Sequence, residues 1–187
     1  GCDFLISERK STMASGDRFA APMYGLAPAS SLEDVVEYQY WFSTNGYFYL
    51  GMKKVAQALA DINHPEAERI AREAEAYRRD IELAVRQATT RAAAVRLRDG
   101  RCVPYVPPSV FQWRHLTSGW IREALYCSLH LATTEVVPTD DPLMTWTLDE
   151  LEDNIFFSGA SGYGIQDVDQ YWFTRGGLTP QPALLDT

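Results

Sequence analysis

The apolar residues of this chain recur at helical spacing along much of its length. Between positions 66 and 93, apolar side chains return every three or four residues among Glu and Arg: Ile70, Ala74, Tyr77, Ile81 and Val85. This periodicity is typical of a helix that buries one face and leaves the other in water. It predicts an outer helix over 66–93.

A different pattern predicts an inner helix that begins at Ser31 and carries the apolar residues of 38–60. Aromatic and aliphatic residues occur there on almost every side of a helical projection, which indicates burial all round. Ser31, followed by the acidic Glu33 and Asp34, predicts the N-cap and first turn. Gly46 and Gly51 each lower helix propensity by about 1 kcal/mol, so we expect neighbouring helices to approach closely at both.

Three further helices are predicted from the remaining periodic segments. One runs from the start of the chain to about Met13, and residues 119–131 repeat the apolar inner pattern. Asp141 followed by Pro142 is typical of an N-cap and a first helical position, and this helix is predicted to reach about residue 157. Its acidic residues are expected to face outward: Asp149, Glu150, Glu152 and Asp153.

The connections between these helices fall into two classes. Asp99-Gly100 lies within an alternating segment at 95–106 and predicts a small β-hairpin. Long loops at 15–31, 94–118 and 158–180 alternate with short turns at 63–65 and 138–141. Because antiparallel helices place successive connections at opposite ends, we expect the long loops on one face. The predicted fold is an all-α domain of antiparallel helical hairpins over residues 1–187.

Composition and charge disfavour several classes of function. The formal charge of −8 argues against a nucleic-acid partner, and no apolar run approaches the ~18 residues of a membrane span. Cys2, Cys102 and Cys127 have neither paired nor zinc-ligand spacing, so we expect reduced thiols in packing positions and no metal or cofactor. Unpaired cysteines and the lack of a signal-peptide pattern favour the cytoplasm.

Inner and outer helices in alternation, with elaborate loops on one face, resemble the (α/α)6 toroids of the six-hairpin glycosidase superfamily. The segments YGLAP at 24–28, followed by Glu33-Asp34 and Tyr40-Trp41, and YWFTRGG at 171–177 resemble loop-to-helix passages of such enzymes. The resemblance covers about half a toroid of twelve helices and implies a glycoside hydrolase. Because the chain opens inside a helical pattern without an initiator Met, we expect the remainder of a longer polypeptide as a partner.

Glycoside hydrolysis requires two carboxylates, ~5–5.5 Å apart for retention or ~6.5–9.5 Å apart for inversion. The candidates are Glu33 and Asp34 at the predicted helix start, and Asp167 and Asp169 in the Gly-rich third loop. The first two have an ordinary alternative role as partners of the helix dipole. In a toroid the second carboxylate can also come from a hairpin outside this chain.

Aromatic and cationic residues near the predicted loop face are the candidates for substrate binding. They are Tyr24, Tyr40, Trp41, Trp113, Arg114, Tyr163, Trp172 and Arg175. Aromatic faces stack on sugar rings, and a guanidinium group pairs with the carboxylate of an acidic sugar. Trp41 lies on a predicted inner helix, where a core role is more usual, and both Arg residues have the alternative role of locking loops through salt bridges.

These observations predict a carbohydrate as the substrate and leave three functions open. The first is a glycoside hydrolase, or part of one, that uses carboxylate acid–base catalysis. The second is a non-catalytic carbohydrate-binding toroid that uses the same aromatic face. The third is a polysaccharide lyase, since Tyr, His and Arg are suited to proton abstraction beside a uronate.

Overall fold

A computed structural model describes residues 1–14, 16–32, 35–112 and 128–156, without the side chains at 32, 35–37 and 154–156. This part of the chain is mostly helical, with 56% helix and 9% strand. The prediction of a mostly helical fold is therefore confirmed. The helices are α1 (Cys2–Met13), α2 (Phe42–Asp61), α3 (Ala67–Arg91), α4 (His130–Thr133) and α5 (Pro142–Glu150), followed by a π-helical turn at Leu151–Phe156. The strands are β1 (Ser30–Leu32), β2 (Val35–Gln39), β3 (Ala94–Arg96) and β4 (Cys102–Pro104).

The centre of the fold is the antiparallel pair formed by α2 and α3. The predicted turn at 63–65 connects them, and Asn63 adopts a left-handed conformation there with φ of 52°. The apolar residues that predicted the outer helix are all buried in the main core: Ile70, Ala74, Tyr77, Ile81 and Val85. Their spacing aligns them along the face of α3 that packs on α2, so this prediction is confirmed.

The predicted start of the inner helix is wrong. Residues 30–32 and 35–39 form the two antiparallel strands of the β1–β2 hairpin, in which Ser30 pairs with Gln39 and Leu32 with Val35, and α2 begins only at Phe42. The β-branched and aromatic residues of this segment favour an extended strand. A Ser followed by two acidic residues is common at helix starts and in turns alike, because both use side-chain oxygens to accept backbone N–H bonds.

Burial of α2 on every side is also wrong. Phe48 and Val55 are each 43% exposed, whereas Phe42, Tyr49 and Met52 face the core. The predicted close approach is confirmed at Gly46, where an added Cβ would lie 3.2 Å from Cβ of Thr134. It is wrong at Gly51, whose missing side chain faces open space.

The hairpin predicted around Asp99-Gly100 is confirmed. β3 and β4 pair antiparallel with Val95 opposite Val103, and Gly100 has the positive φ of 89° that this tight turn requires. The hairpin has a small core of its own, formed by Val95, Leu97, Val103 and Tyr105. Cys102 is exposed, so its predicted packing role is wrong.

The start of α5 follows the sequence prediction. Asp141 is the N-cap residue, its Oδ1 accepts a hydrogen bond from the Leu143 N–H at 2.9 Å, and Pro142 occupies the first helical position. The predicted outward orientation is wrong for Glu150, which is 3% exposed. No helix in the described part of the chain is long and apolar enough to cross a membrane.

The Asp141→Ala substitution is expected to lower the free energy of unfolding by about 1–2 kcal/mol at pH 7, because it removes a cap and a partner of Arg86. Burial alone would raise the pKa of Asp141, but the Leu143 N–H and Arg86, whose Nη2 lies 2.7 Å from Oδ2, outweigh it and hold the pKa below its ordinary value. Since this acid's pKa is lowered on folding, its stabilisation is present at neutral pH and is lost as pH falls through the folded-state pKa.

Urea unfolding at pH 7 and at about pH 3 tests this pH dependence. The wild-type protein and the Asp141→Ala variant should differ less in acid than at neutral pH. Asp141→Asn is the matched control, because it keeps the cap and removes the charge opposite Arg86. A difference between wild type and Asp141→Ala that is unchanged by pH would contradict the assignment.

Candidate functional site

The second predicted long loop, 94–118, contacts the chain at the N-terminal end of α2. The Phe42 N–H donates to the Pro108 carbonyl at 2.9 Å, and the Val110 N–H donates to the Tyr40 carbonyl at 3.2 Å. Trp41 and Ser109 form a β-bridge between these two bonds. Residues 38–42 and 105–112 are called the rim below. The third long loop lies outside the described residues.

Trp41 anchors the rim from the inside. It is 1% exposed, and its Nε1–H donates to the Ser30 carbonyl at 3.0 Å, which fastens the β1–β2 hairpin to the start of α2. Its own carbonyl accepts from Nδ2 of Asn45 at 2.7 Å. Because the indole is buried, Trp41 fills the core role and presents no face to a ligand.

The outer side of the rim is aromatic. The rings of Tyr40 and Phe111 meet edge to face, with centroids 5.9 Å apart and an angle of 73° between their planes. Phe111 is 40% exposed and Tyr38 is 72% exposed. Tyr40 is partly buried and packs against the main core. The rim therefore presents aromatic surface to solvent.

Two side-chain hydrogen bonds hold the segment that carries Phe111. Gln112 Nε2 donates to the Tyr105 hydroxyl at 3.1 Å, and the Ser128 hydroxyl donates to the Pro107 carbonyl at 2.8 Å. Tyr105, Ser109 and Val110 are buried. These contacts fasten residues 105–112, among which Phe111 is the exposed side chain.

A buried ionic cluster fastens the first loop to α3. Arg9 is 1% exposed, donates through Nε to the Gly25 carbonyl at 2.7 Å and through Nη2 to Asp80 Oδ2 at 2.9 Å, and lies 4.0 Å above the ring of Tyr77. Arg18 contacts the other Asp80 oxygen at 2.5 Å. Burial lowers the pKa of Arg9 and raises that of Asp80, each against the opposing effect of the partner charge.

Asn45 connects this cluster to the rim. Its Oδ1 accepts from the Ala27 N–H at 2.8 Å and from the Tyr77 hydroxyl at 2.6 Å, while its Nδ2 donates to Trp41. Burial raises the pKa of Tyr77 far above its ordinary value, so the phenol stays protonated and remains a donor. The first loop, α3 and the rim are thus joined through a single buried side chain.

The structure places three of the candidate residues. Tyr40 is partly exposed on the rim, Trp41 is in the core, and Tyr24 is half-buried beside Arg18, whose guanidinium carbon lies 5.6 Å from its ring centroid. Tyr38 and Phe111 were not among the candidates. The remaining candidates lie outside the described residues: Glu33, Asp34, Trp113, Arg114, Tyr163, Asp167, Asp169, Trp172 and Arg175.

A large groove lies away from the rim. It has a volume of about 950 Å³ and lies between the C-terminal half of α2, the N-terminal half of α3 and residues 132–139. Its floor is mostly Ala and Val, and its charged groups pair with one another: Lys53 with Glu135, and Arg78 with Glu75 and Glu82. Since these charges are already neutralised within the protein, we place the candidate site at the rim.

The described part of the chain contains no group of three His, Cys, Asp or Glu side chains arranged to hold a metal ion. Comparison with known proteins gives no assignment, since no protein-family model, curated protein or solved structure matches this chain.

Proposed function

We propose that this chain binds a carbohydrate at the rim and acts as a glycoside hydrolase, as part of a larger α/α toroid. The observation that carries the proposal is the aromatic surface formed by the exposed Tyr38 and Phe111 and the partly buried Tyr40, where residues 38–42 meet residues 105–112. Aromatic faces suit the apolar C–H face of a sugar ring, while loop polar groups suit its hydroxyls.

Rigidity of the rim supports the same proposal. Two backbone hydrogen bonds, one β-bridge and the buried Trp41 hold residues 40–42 against 108–110. A surface that is already ordered loses little conformational entropy when a ligand binds. A preformed aromatic surface therefore favours a binding role over a role in loop packing alone.

Catalysis in this proposal rests on carboxylates near the rim. Glu33 and Asp34 lie in the sequence between β1 and β2. The last residue of β2, Gln39, directly precedes Tyr40 of the rim. Asp167 and Asp169 belong to the predicted third loop, which the alternation of long and short connections in the sequence predicts on the same face. One carboxylate would protonate the glycosidic oxygen, and the other would act as nucleophile or activate water.

A non-catalytic carbohydrate-binding role is the second candidate. The aromatic rings at the rim supply affinity and orientation but no proton transfer. Binding that persists in a variant lacking all four candidate carboxylates, with no turnover before or after the change, would select this second function. Absorbance of a new carbon–carbon double bond in the product would instead indicate a lyase.

Tyr40→Ala and Phe111→Ala are each expected to weaken binding of a cognate oligosaccharide by about 5–30-fold, which corresponds to about 1–2 kcal/mol of lost apolar contact. The measurement is isothermal titration calorimetry on a ligand selected from a glycan panel. Phe4→Ala is the matched control, because Phe4 is a 70% exposed aromatic residue on α1. If all three variants bind the ligand as tightly as the wild type, the rim is not part of the binding site.

Turnover is tested separately on aryl glycosides and oligosaccharides. Asp34→Asn and Asp169→Asn should each abolish cleavage while the oligosaccharide still binds, because each removes an ionisable carboxyl group and keeps its shape. A chain that binds sugar and cleaves none of a broad panel would contradict the hydrolase proposal and leave the binding proposal standing.

A further inference from the structure

The outward face of α2 carries an exposed apolar stripe. It consists of Phe48, Gly51, Val55, Ala58 and Ile62, all exposed to solvent, with Ile62 70% exposed. Their spacings are three, four, three and four residues, which is the a and d pattern of a heptad repeat. Large residues occupy the a positions 48, 55 and 62, and small residues occupy the d positions 51 and 58.

The two glycines of α2 show which of its faces lacks a neighbour. Gly46 lies against Thr134, whereas no atom of the described residues lies within 4 Å of a Cβ built at Gly51. A glycine inside a helix lowers stability by about 1 kcal/mol relative to Ala, and close approach of another backbone is the usual compensation. That compensation is present at Gly46 and absent at Gly51 within the described chain.

We propose that this stripe pairs with the same stripe of a second copy of the chain, with the two α2 helices antiparallel. In an antiparallel pair, a positions of one helix face d positions of the other. One register places Ile62 against the partner's Gly51 and Val55 against the partner's Ala58, and the two-fold axis repeats both contacts. Each of these four layers then combines one large and one small side chain, as close helix packing requires.

The charges beside the stripe fit the same register. Lys54 and Asp61 are exposed at the g positions, and in this register Lys54 faces the partner's Asp61 twice, once on each side of the axis. The opposite flank of the stripe, at the e positions, faces the main core: Met52 is buried there and Leu59 packs against it. A register shifted by one heptad, with Phe48 opposite the partner's Ala58, would instead place Lys54 beside the partner's Lys54 and is disfavoured by repulsion.

Parallel pairing does not fit the side-chain sizes. It would place Gly51 against the partner's Gly51 and Phe48 against the partner's Phe48, so that an empty layer would alternate with a crowded one.

The stripe spans about 21 Å at 1.5 Å per residue, which is short for a permanent interface. The dimer is therefore expected to be concentration-dependent.

Sedimentation equilibrium of the 187-residue chain from about 5 to about 500 μM tests the pairing. The wild type should shift from monomer to dimer across this range, whereas Gly51→Leu should stay monomeric because its side chain occupies the space of the partner's Ile62. The same substitution meets open space in the monomer, so its Tm should not fall. Ala71→Leu, a small-to-large change at an exposed position of α3, should leave dimerisation unchanged.

Charge reversal tests the register independently of steric fit. Lys54→Glu and Asp61→Lys should each weaken dimerisation by about tenfold, because each makes two like-charge pairs out of two opposite-charge pairs. An equimolar mixture of the two variants should form a heterodimer, since each partner then supplies the opposite charge. A wild type that stays monomeric throughout, or a dimer that tolerates Gly51→Leu, would overturn the proposal and assign the stripe to a different partner.

Discussion

Replacing Arg9 with Met is expected to lower the free energy of unfolding by about 3–5 kcal/mol, because it leaves a buried charge without its main partner. Arg9 and Asp80 are 1% and 4% exposed, and their side chains are 2.9 Å apart. The substitution also removes the donor to the Gly25 carbonyl and the cation above Tyr77. Urea unfolding at pH 7 measures the loss.

Two control variants separate the buried ion pair from general effects of losing a charge. Arg18→Ala should change stability by only about 0–1 kcal/mol, because the Arg18 side chain is 45% exposed and screened by water. The double variant Arg9→Met, Asp80→Asn should recover part of the Arg9→Met loss, since no buried charge is then left without a partner. A loss below about 1 kcal/mol for Arg9→Met would mean that water reaches Asp80.

The same variant has a defined pH dependence. Burial already raises the pKa of Asp80 in the folded protein, and loss of Arg9 removes a charge that opposes this rise. An acid whose pKa is raised on folding is destabilising when ionised, and this destabilisation disappears as pH falls and the folded state takes up a proton. The deficit of Arg9→Met should therefore be larger at neutral pH than in acid.

Gly25→Ala is expected to destabilise the protein by about 2–4 kcal/mol, through strain and overlap together. Gly25 has a φ of 73°, and a Cβ built there would lie 2.6 Å from Cγ of Asp80. The substitution would push the first loop away from α3 and stretch the bond from Arg9 to the Gly25 carbonyl. Thermal unfolding followed by circular dichroism measures the change.

Gly51→Ala is the matched comparison for Gly25→Ala. It adds the same methyl group inside a helix, at a position where the described part of the chain has no atom within 4 Å of the new Cβ. At a concentration where the protein is monomeric, it should stabilise the fold by about 0.5–1 kcal/mol. Opposite signs for the two substitutions would show that local space and backbone conformation decide the outcome, and equal signs would contradict this.

The secondary structure could be predicted where one pattern fits one structure. The apolar repeat from Ile70 to Val85 fits only a helix. The Asp141-Pro142 pair specifies a helix start, because the Asp side chain accepts a backbone hydrogen bond there. The prediction for residues 30–41 was wrong because aromatic and β-branched residues suit a buried helix and a strand equally in a short segment. The β1–β2 hairpin depends on Trp41 and on residues 108–110, which are distant in sequence.

The candidate site could be predicted in part for the same reason. Tyr40 follows from its position beside a long loop, but Phe111 becomes significant only when residues 108–110 are brought against residues 40–42. Arg9 was not predicted at all. A single Arg in an amphipathic segment has the pattern of a solvated residue, and its burial depends on Gly25, Tyr77 and Asp80 arriving from other parts of the chain.

Asn45 makes distant parts of this protein mechanically interdependent. Its amide oxygen accepts two hydrogen bonds, from the first loop and from α3, and its amide nitrogen donates to the residue that anchors the rim. A ligand that shifts the start of α2 must therefore either carry Ala27 and Tyr77 with it or leave a buried donor without an acceptor. Small adjustments at the aromatic surface would thus propagate inward as concerted motion of loop and helix.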